Sequence, residues 1–299
     1  MPNLETFKRK IDTAQDLQSV VKTMKALAAV SIRQYEKAVI SLNSYDKTLE
    51  MGLQILLKNA PQLLLKTDNF SKGKEQLAVV IFGSDQGMCG QFNERISTYV
   101  LKHLESLDIT NSNYTILTIG LRLADRLKIL EYQSEQVLNI PSSIEGITPT
   151  IQDSVLILEK WRKQKRIDKI LVFHNKFISG SNYEPYYVQI FPLNVNRLKI
   201  LQQQTWKSHS LPTFTMSPEK LVSVLFKQHF FVSLYRACAG SLASENASRL
   251  ASMQVAEKNI EERLLALKTE FQHQRQTLIT EELLDIVSGF EALNKDNKS

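Results

Sequence analysis

Apolar residues recur along the first sixty positions at alternating steps of three and four. The series runs Leu4, Phe7, Ile11, Ala14, Gln18, Val21, Lys25, Ala28, Ile32, Tyr35, Val39, Leu42, Asp46, Leu49, Leu53 and Leu56, and thirteen of these sixteen positions are apolar. A 3.5-residue repeat held for about seven heptads predicts a left-handed coiled coil, because an ordinary straight helix drifts away from that spacing. The far end of the chain repeats the pattern. Ser217-Pro218 reads as an N-cap followed by proline at the first helical position. Leu221, Val222, Val224, Leu225, Phe226, Phe230, Phe231, Val232 and Leu234 are then apolar on more than one side, as in a helix buried between two neighbours. A stretch of small residues follows (Ala237, Ala239, Gly240, Ser241, Ala243, Ser244, Ala247, Ser248), which lets another backbone approach closely. The heptad returns at Ile260, Leu264, Leu267 and Phe271, while Glu257 to Glu262 with Lys258, Arg263 and Lys268 read as a solvated face.

Between these segments the pattern changes to alternating β and α. Buried-strand runs are predicted at 77–83, 114–120, 137–140, 168–174 and 186–191, with helices at 93–107, up to 130, and at 149–164. That order predicts a mostly parallel sheet with helices on its faces and the last strands as an edge pair. Proline and glycine mark the same division: seven of 8 prolines and seven of 10 glycines lie between Pro61 and Pro218. Each would weaken a helix interior, by about 3 and about 1 kcal/mol respectively. The expected domains are a helix over 1–60, an α/β domain over 75–212 and a helix over 216–293 that pairs with the first. A helix of about 57 residues is about 85 Å long and one from 218 to 290 about 110 Å, against a diameter of about 50 Å for a globule of this chain length. The two helices are therefore expected to project from the middle domain and to pair antiparallel.

The 299 residues are 43% hydrophobic and 23% charged. No stretch reaches the roughly 18 uninterrupted apolar residues of a spanning helix, so an association with membranes is expected to be peripheral. The start, MPNLETFKRKID, shows no hydrophobic leader, and two isolated cysteines, Cys89 and Cys238, fit a reducing compartment. The net charge of +6 permits an acidic partner without requiring one.

Candidate chemistry is sparse. Gly83-Ser-Asp-Gln-Gly-Met-Cys-Gly90 follows the first strand, where a phosphate loop would stand, but it lacks the Gly-Lys-Ser/Thr of a Walker loop and the glycine spacing of the dinucleotide fingerprint. A tight structural turn is the expectation, with no cofactor. Cys89 has no adjacent histidine or CxxC partner and reads as unreactive. The five histidines (103, 174, 209, 229 and 273) stand in no metal-ligand spacing, so no metal is expected, and Ser84-Asp85 is no triad. Lys22, Lys25, Arg33 and Lys37 form a basic series at helical spacing, open to two readings: a solvated face or a contact to an acidic surface. Nucleic acid is not expected, since aromatics are not interleaved and Asp12, Asp16 and Glu36 offset the charge.

Four segments carry a specific resemblance. Val21-Lys-Thr-Met-Lys-Ala-Leu-Ala-Ala29, Ser84-Asp-Gln-Gly-Met-Cys-Gly-Gln-Phe-Asn93, Ser241-Leu-Ala-Ser-Glu-Asn-Ala-Ser-Arg-Leu-Ala-Ser-Met253 and Arg275-Gln-Thr-Leu-Ile-Thr-Glu-Glu-Leu-Leu-Asp-Ile-Val-Ser-Gly289 resemble, in order, four signature stretches of the F-type ATP synthase gamma subunit. The resemblance implies a non-catalytic rotor shaft. Its two terminal helices would stand as an antiparallel coiled coil in the alpha3beta3 hexamer, and its inserted Rossmann-like α/β domain would sit with epsilon on the membrane ring of c subunits. The complex would lie at the cytoplasmic face of a bacterial membrane and couple ion flow to ATP synthesis or hydrolysis. Lys22, Met24 and Lys25 would face an acidic lever of the beta subunits, and Arg249, Arg275, Gln276, Thr280 and Glu282 would make coupling contacts. Gln86 stands where the family has arginine, Gln91 where it has glycine and Leu250 where methionine is common, and Lys25 is often acidic or polar in relatives; these departures mark a divergent branch, with a variant or sodium-coupled ATPase left open. Two other readings stand beside this one: a scaffold whose heptads zip two copies together, and a nucleotide-dependent enzyme using the loop at Gly83 to Gly90.

Overall fold

The computed structural model describes residues 4–60, 76–107, 113–193, 195–206, 210 and 212–296. The elements are α1 (Leu4–Asn59), β1 (Leu77–Phe82), α2 (Phe92–Ser106), β2 (Tyr114–Ile119), α3 (Leu121–Ile129), β3 (Gln136–Leu138), α4 (Ile144–Lys165), β4 (Lys169–Ser179), β5 (Asn182–Phe191), α5 (Val195–Gln203) and α6 (Pro218–Asp296). Contacts divide the chain into two compact units. One is built from the residues up to Leu27 and those from Ala251 on; the other spans Ala28–Leu250. Both long helices contribute a part to each.

In the first unit the N-terminal part of α1 and the C-terminal part of α6 run antiparallel. Lys25 is ion-paired with Glu257, and about two turns earlier on α1 the Gln18 amide donates to Glu261 at 3.2 Å. Phe7, Leu264 and Leu267 are buried along this seam. All sixteen positions of the α1 heptad series are buried or half-buried, so the 3.5 repeat does mark the helix's covered stripe throughout.

The second unit holds a five-stranded sheet in the order β3-β2-β1-β4-β5. β1 pairs parallel with β2 and β4, β2 pairs parallel with β3, and β4 with β5 is the antiparallel edge pair. Every residue of β1 is buried, as expected of a central parallel strand covered on both faces. Its side chains alternate between two cores. Leu77, Val79 and Ile81 meet Ile96, Val100 and Leu104 of α2 and Leu123 and Leu127 of α3. Ala78, Val80 and Phe82 join Ile147, Ile151 and Leu158 of α4, Tyr35 of α1, and Leu234, Ala237, Cys238 and Leu242 of α6. The inner part of α6 is thus buried against both the sheet and α1, which accounts for its apolar residues on several sides.

Three elements differ from the sequence reading. α4 begins at Ile144, not at Pro149, because Ser143 caps it by accepting the Gly146 N–H and Pro149 is carried inside the helix. β4 and β5 form a longer hairpin than the runs 168–174 and 186–191, turning at Gly180 in the left-handed region (φ 59°). Its outer half is exposed on most positions, so no buried run marks it. α5 was not foreseen; Leu198 and Leu201 anchor it on Leu53 and Leu57 of α1, and Gln202 donates to the Leu57 carbonyl at 3.1 Å. Ser217-Pro218 does open α6, with Leu221 N–H donating to the Ser217 carbonyl at 3.0 Å.

Candidate functional site

The residues singled out from sequence fall into two groups. Lys22 is exposed, Met24 is half-buried, and Arg275, Gln276, Thr280 and Glu282 are all exposed on α6. Thr280 turns its hydroxyl back to the Gln276 carbonyl at 2.8 Å. Lys25 and Arg249 behave otherwise. The Lys25 ammonium is taken up by Glu257 across the helix pair, with 37% of its side chain accessible. Arg249 is only 8% exposed and donates to Glu245 at 2.6 Å and to Asn246 at 3.3 Å. Burial raises the Glu245 carboxyl pKa and the Arg249 charge opposes that rise, so the arginine acts as an internal counter-ion. Arg249 is thus paired within its own helix.

Beyond Phe271 the apolar residues of α6 are left largely open. Ile279, Leu283, Leu284, Ile286 and Val287 are between 46% and 67% exposed. Scattered exposed leucines are ordinary, but five within nine positions on one helix form a patch of the kind that meets a partner.

The glycine-bearing loop after β1 is fully occupied with its own fold. The Asp85 carboxylate accepts the Leu121 N–H at 2.7 Å and the Ile140 N–H at 3.0 Å. It thereby caps α3, whose N-cap position is Gly120 and offers no side chain. Asn93 accepts the Ser84 N–H at 3.1 Å and donates to the Ser84 hydroxyl at 2.8 Å. A Cβ on Gly83 would lie 2.3 Å from the Leu123 Cβ, which is why the turn there needs glycine. The Cys89 thiol, 3% exposed, has its pKa raised chiefly by desolvation. The loop is a structural turn.

What the loop does hold is α6. The Ser248 hydroxyl donates to the Cys89 carbonyl at 2.6 Å and lies 3.2 Å from the Tyr183 hydroxyl of β5. One turn earlier, the Ser244 hydroxyl shares its single proton between the Asn175 carbonyl of β4 at 3.0 Å and the Gly240 carbonyl of its own helix at 2.8 Å, and the Asn175 amide donates to the Phe92 carbonyl at 3.2 Å. The Phe92 and Tyr183 rings lie 5.7 Å apart, and the Arg95 guanidinium lies 5.3 Å from the Tyr183 ring. The small-residue stretch signalled this close approach, but its partners lie about 65 to 160 positions away and could not be read from it.

A cleft of about 520 Å³ in the same unit is lined by Leu53, His174, His229 and Arg236, among others. Four of its charges form ion pairs, Arg236 with Asp46 at 3.0 Å and Arg197 with Glu50. Among the described residues no group of three or more His, Cys, Asp or Glu could hold a metal ion, and no helix is long and apolar enough to cross a membrane.

Fold and site together define a paired-helix protein with an inserted α/β sheet. A family model described as ATP synthase matches residues 3–293. The chain belongs to the ATP synthase gamma family. The ATP synthase gamma chain of Ehrlichia canis is 26% identical over 295 residues, covering 98% of this chain and 100% of its own length. That of Fusobacterium nucleatum is 27% identical over 297 residues, covering 98% and 100%. Among solved structures, a chain of the Euglena gracilis mitochondrial ATP synthase OSCP/F1/c-ring assembly shares the fold with a TM-score of 0.62 at 15% identity, covering 99% of this chain and 96% of that one. A chain of the same enzyme's rotor does so at 0.58 and 16%, covering 92% and 98%.

Proposed function

We propose that this chain is the central rotor shaft of an F-type ATP synthase. It couples ion flow through a membrane c-ring to ATP synthesis or hydrolysis in an alpha3beta3 hexamer and performs no bond chemistry itself. The observation that carries the reading is the end-to-end similarity to gamma chains, which runs through both long helices and the sheet without loss of either.

In this reading the helices 1–60 and 216–293 form the shaft and 75–212 the base that sits with epsilon on the c-ring. The complex lies at the cytoplasmic face of a bacterial membrane, with the chain peripheral to it. The exposed apolar residues of α6 from Ile279 to Val287 suit a bearing, because apolar contact is non-directional and sets no preferred angle. The exposed Lys22, Arg275, Gln276 and Glu282, with Thr280 and the half-buried Met24, suit angle-dependent contacts to alpha and beta, because polar contacts are directional. Lys25, with 37% of its side chain accessible, is counted among these contacts, as is Arg249, whose guanidinium is held by Glu245.

Mixing the purified chain with alpha and beta subunits tests the reading. The chain alone should hydrolyse no ATP, and the mixture should yield a stable hexamer with one copy of the chain and accelerated hydrolysis. A chain that sediments as a dimer of itself and leaves alpha–beta hydrolysis unchanged contradicts it.

A further inference from the structure

A sheet packed on a helix through apolar side chains alone can slip around or along that helix, since burial is rewarded in any register that buries the same area. Directional bonds between fixed atoms resist such slip, and most strongly where water cannot replace them. α6 meets the sheet through both kinds of contact. Leu234, Ala237, Cys238, Leu242 and Ala243 supply the apolar part. Ser244 and Ser248, one turn apart on the same face and 0% and 6% exposed, supply the directional part. Between them they reach β4 through Asn175, the loop through Cys89 and β5 through Tyr183. Asn175 closes the set by bonding back to the loop at Phe92, and is itself 0% exposed. Three separate pieces of the α/β domain are thus fastened to one helical turn.

We propose that Ser244 and Ser248 form, with Asn175, Tyr183 and the Cys89 carbonyl, the torsional latch through which the α/β domain passes torque to α6. The proposal rests on the rotor reading and deepens it: the two serines are positioning residues that fix the angle of the base against one shaft helix. The small residues around them, Ser241, Ala243 and Ala247, are there because a latch of short hydroxyls needs the helix backbone close to the sheet. A larger side chain at those positions would hold the two apart.

The test uses the assembled hexamer with this chain, held on a surface and stalled with a non-hydrolysable nucleotide. A bead is attached at an introduced Lys160→Cys on the exposed face of α4; both native cysteines are buried. Thermal fluctuation of the bead angle reports torsional stiffness. Ser244→Ala with Ser248→Ala is expected to roughly double the angular variance, because most of the directional bonds are gone while the apolar contact remains. Hydrolysis by the hexamer should change little, while the melting point of the chain should fall because the buried Cys89 carbonyl loses its donor. Tyr183→Phe, which keeps the ring on Phe92 and Arg95 and removes one hydroxyl, should raise the variance by a smaller amount; it carries the test if the double variant does not assemble. A variance equal to that of the unsubstituted serines in both variants overturns the latch. A parent chain that neither assembles nor rotates overturns the rotor reading instead.

Discussion

His174 occupies an environment at odds with its usual chemistry. It sits on β4 opposite Tyr186, with ring centroids 5.7 Å apart, and its Nδ1 is buried without a hydrogen-bond partner. Desolvation, with a smaller contribution from the Lys176 charge, pushes its pKa down to about 4 from 6.5. The folded chain therefore keeps a neutral imidazole where the unfolded chain has taken a proton. Stability from this group is complete above about pH 6.5 and is lost as pH falls towards about 4, where the loss reaches about 3 kcal/mol. Urea unfolding at about pH 7.5 and about pH 4.5 should show a larger difference for the parent chain than for His174→Gln, by about 2–3 kcal/mol. Equal differences would contradict the buried neutral histidine. Gly120 gives a second residue-scale outcome. Its φ is 125° and an added Cβ would lie 2.7 Å from the Ser84 nitrogen and 2.9 Å from the Gly83 carbonyl carbon. Gly120→Ala is expected to cost about 3 kcal/mol in the same assay, since backbone atoms cannot move aside as a side chain can. Neither role was legible in sequence. A lone histidine and a lone glycine show nothing of the strands and turns that the fold brings against them, and Asp85 likewise caps α3 from 36 positions away.

At the scale of elements the chain was far more readable. The long helices, the parallel order of the strands and the start of α6 at Ser217-Pro218 follow from periodicity and breaker placement, which are local signals. The start of α4, the outer half of the β4–β5 hairpin and all of α5 did not follow. Their evidence lies in a cap and in contacts with α1 rather than in a periodic run. Lys25 shows the same limit within a well-predicted helix: the heptad placed it on the seam, and only the structure supplied Glu257 opposite. The pair predicts a specific energetic pattern. Lys25→Glu should lower the thermal stability of the chain by about 1 kcal/mol, an amount kept small by the partial exposure of the pair. The exchange Lys25→Glu with Glu257→Lys should restore both stability and coupling. An exchange that restores stability but leaves ion pumping per ATP impaired would show that Lys25 also acts outwards.

For the molecule as a whole, the signal that mattered was distributed. Thirteen apolar heptad positions predicted the covered stripe of α1, and four motif segments in order pointed to the gamma family, which the match over residues 3–293 bears out. Of the candidate site the sequence placed the residues but not their neighbours: Lys22 and Arg275 are exposed, and Arg249 is paired with the buried Glu245 one turn away, a partner that no motif marked. The two units divide the work in this account. The residues up to Leu27 and from Ala251 on present polar side chains and exposed apolar ones, and Ala28–Leu250 carries the sheet and the α6 serines that fasten the helix to it.

The central claim is that the chain turns while its partners hydrolyse ATP. Its most direct test is to anchor alpha and beta subunits, follow a bead on Lys160→Cys in the assembled complex and supply ATP. The account predicts sustained rotation in one direction, in three equal steps per turn and in proportion to ATP consumed. ATP turnover at the full rate with the bead stationary, in complexes that demonstrably contain the chain, would contradict it.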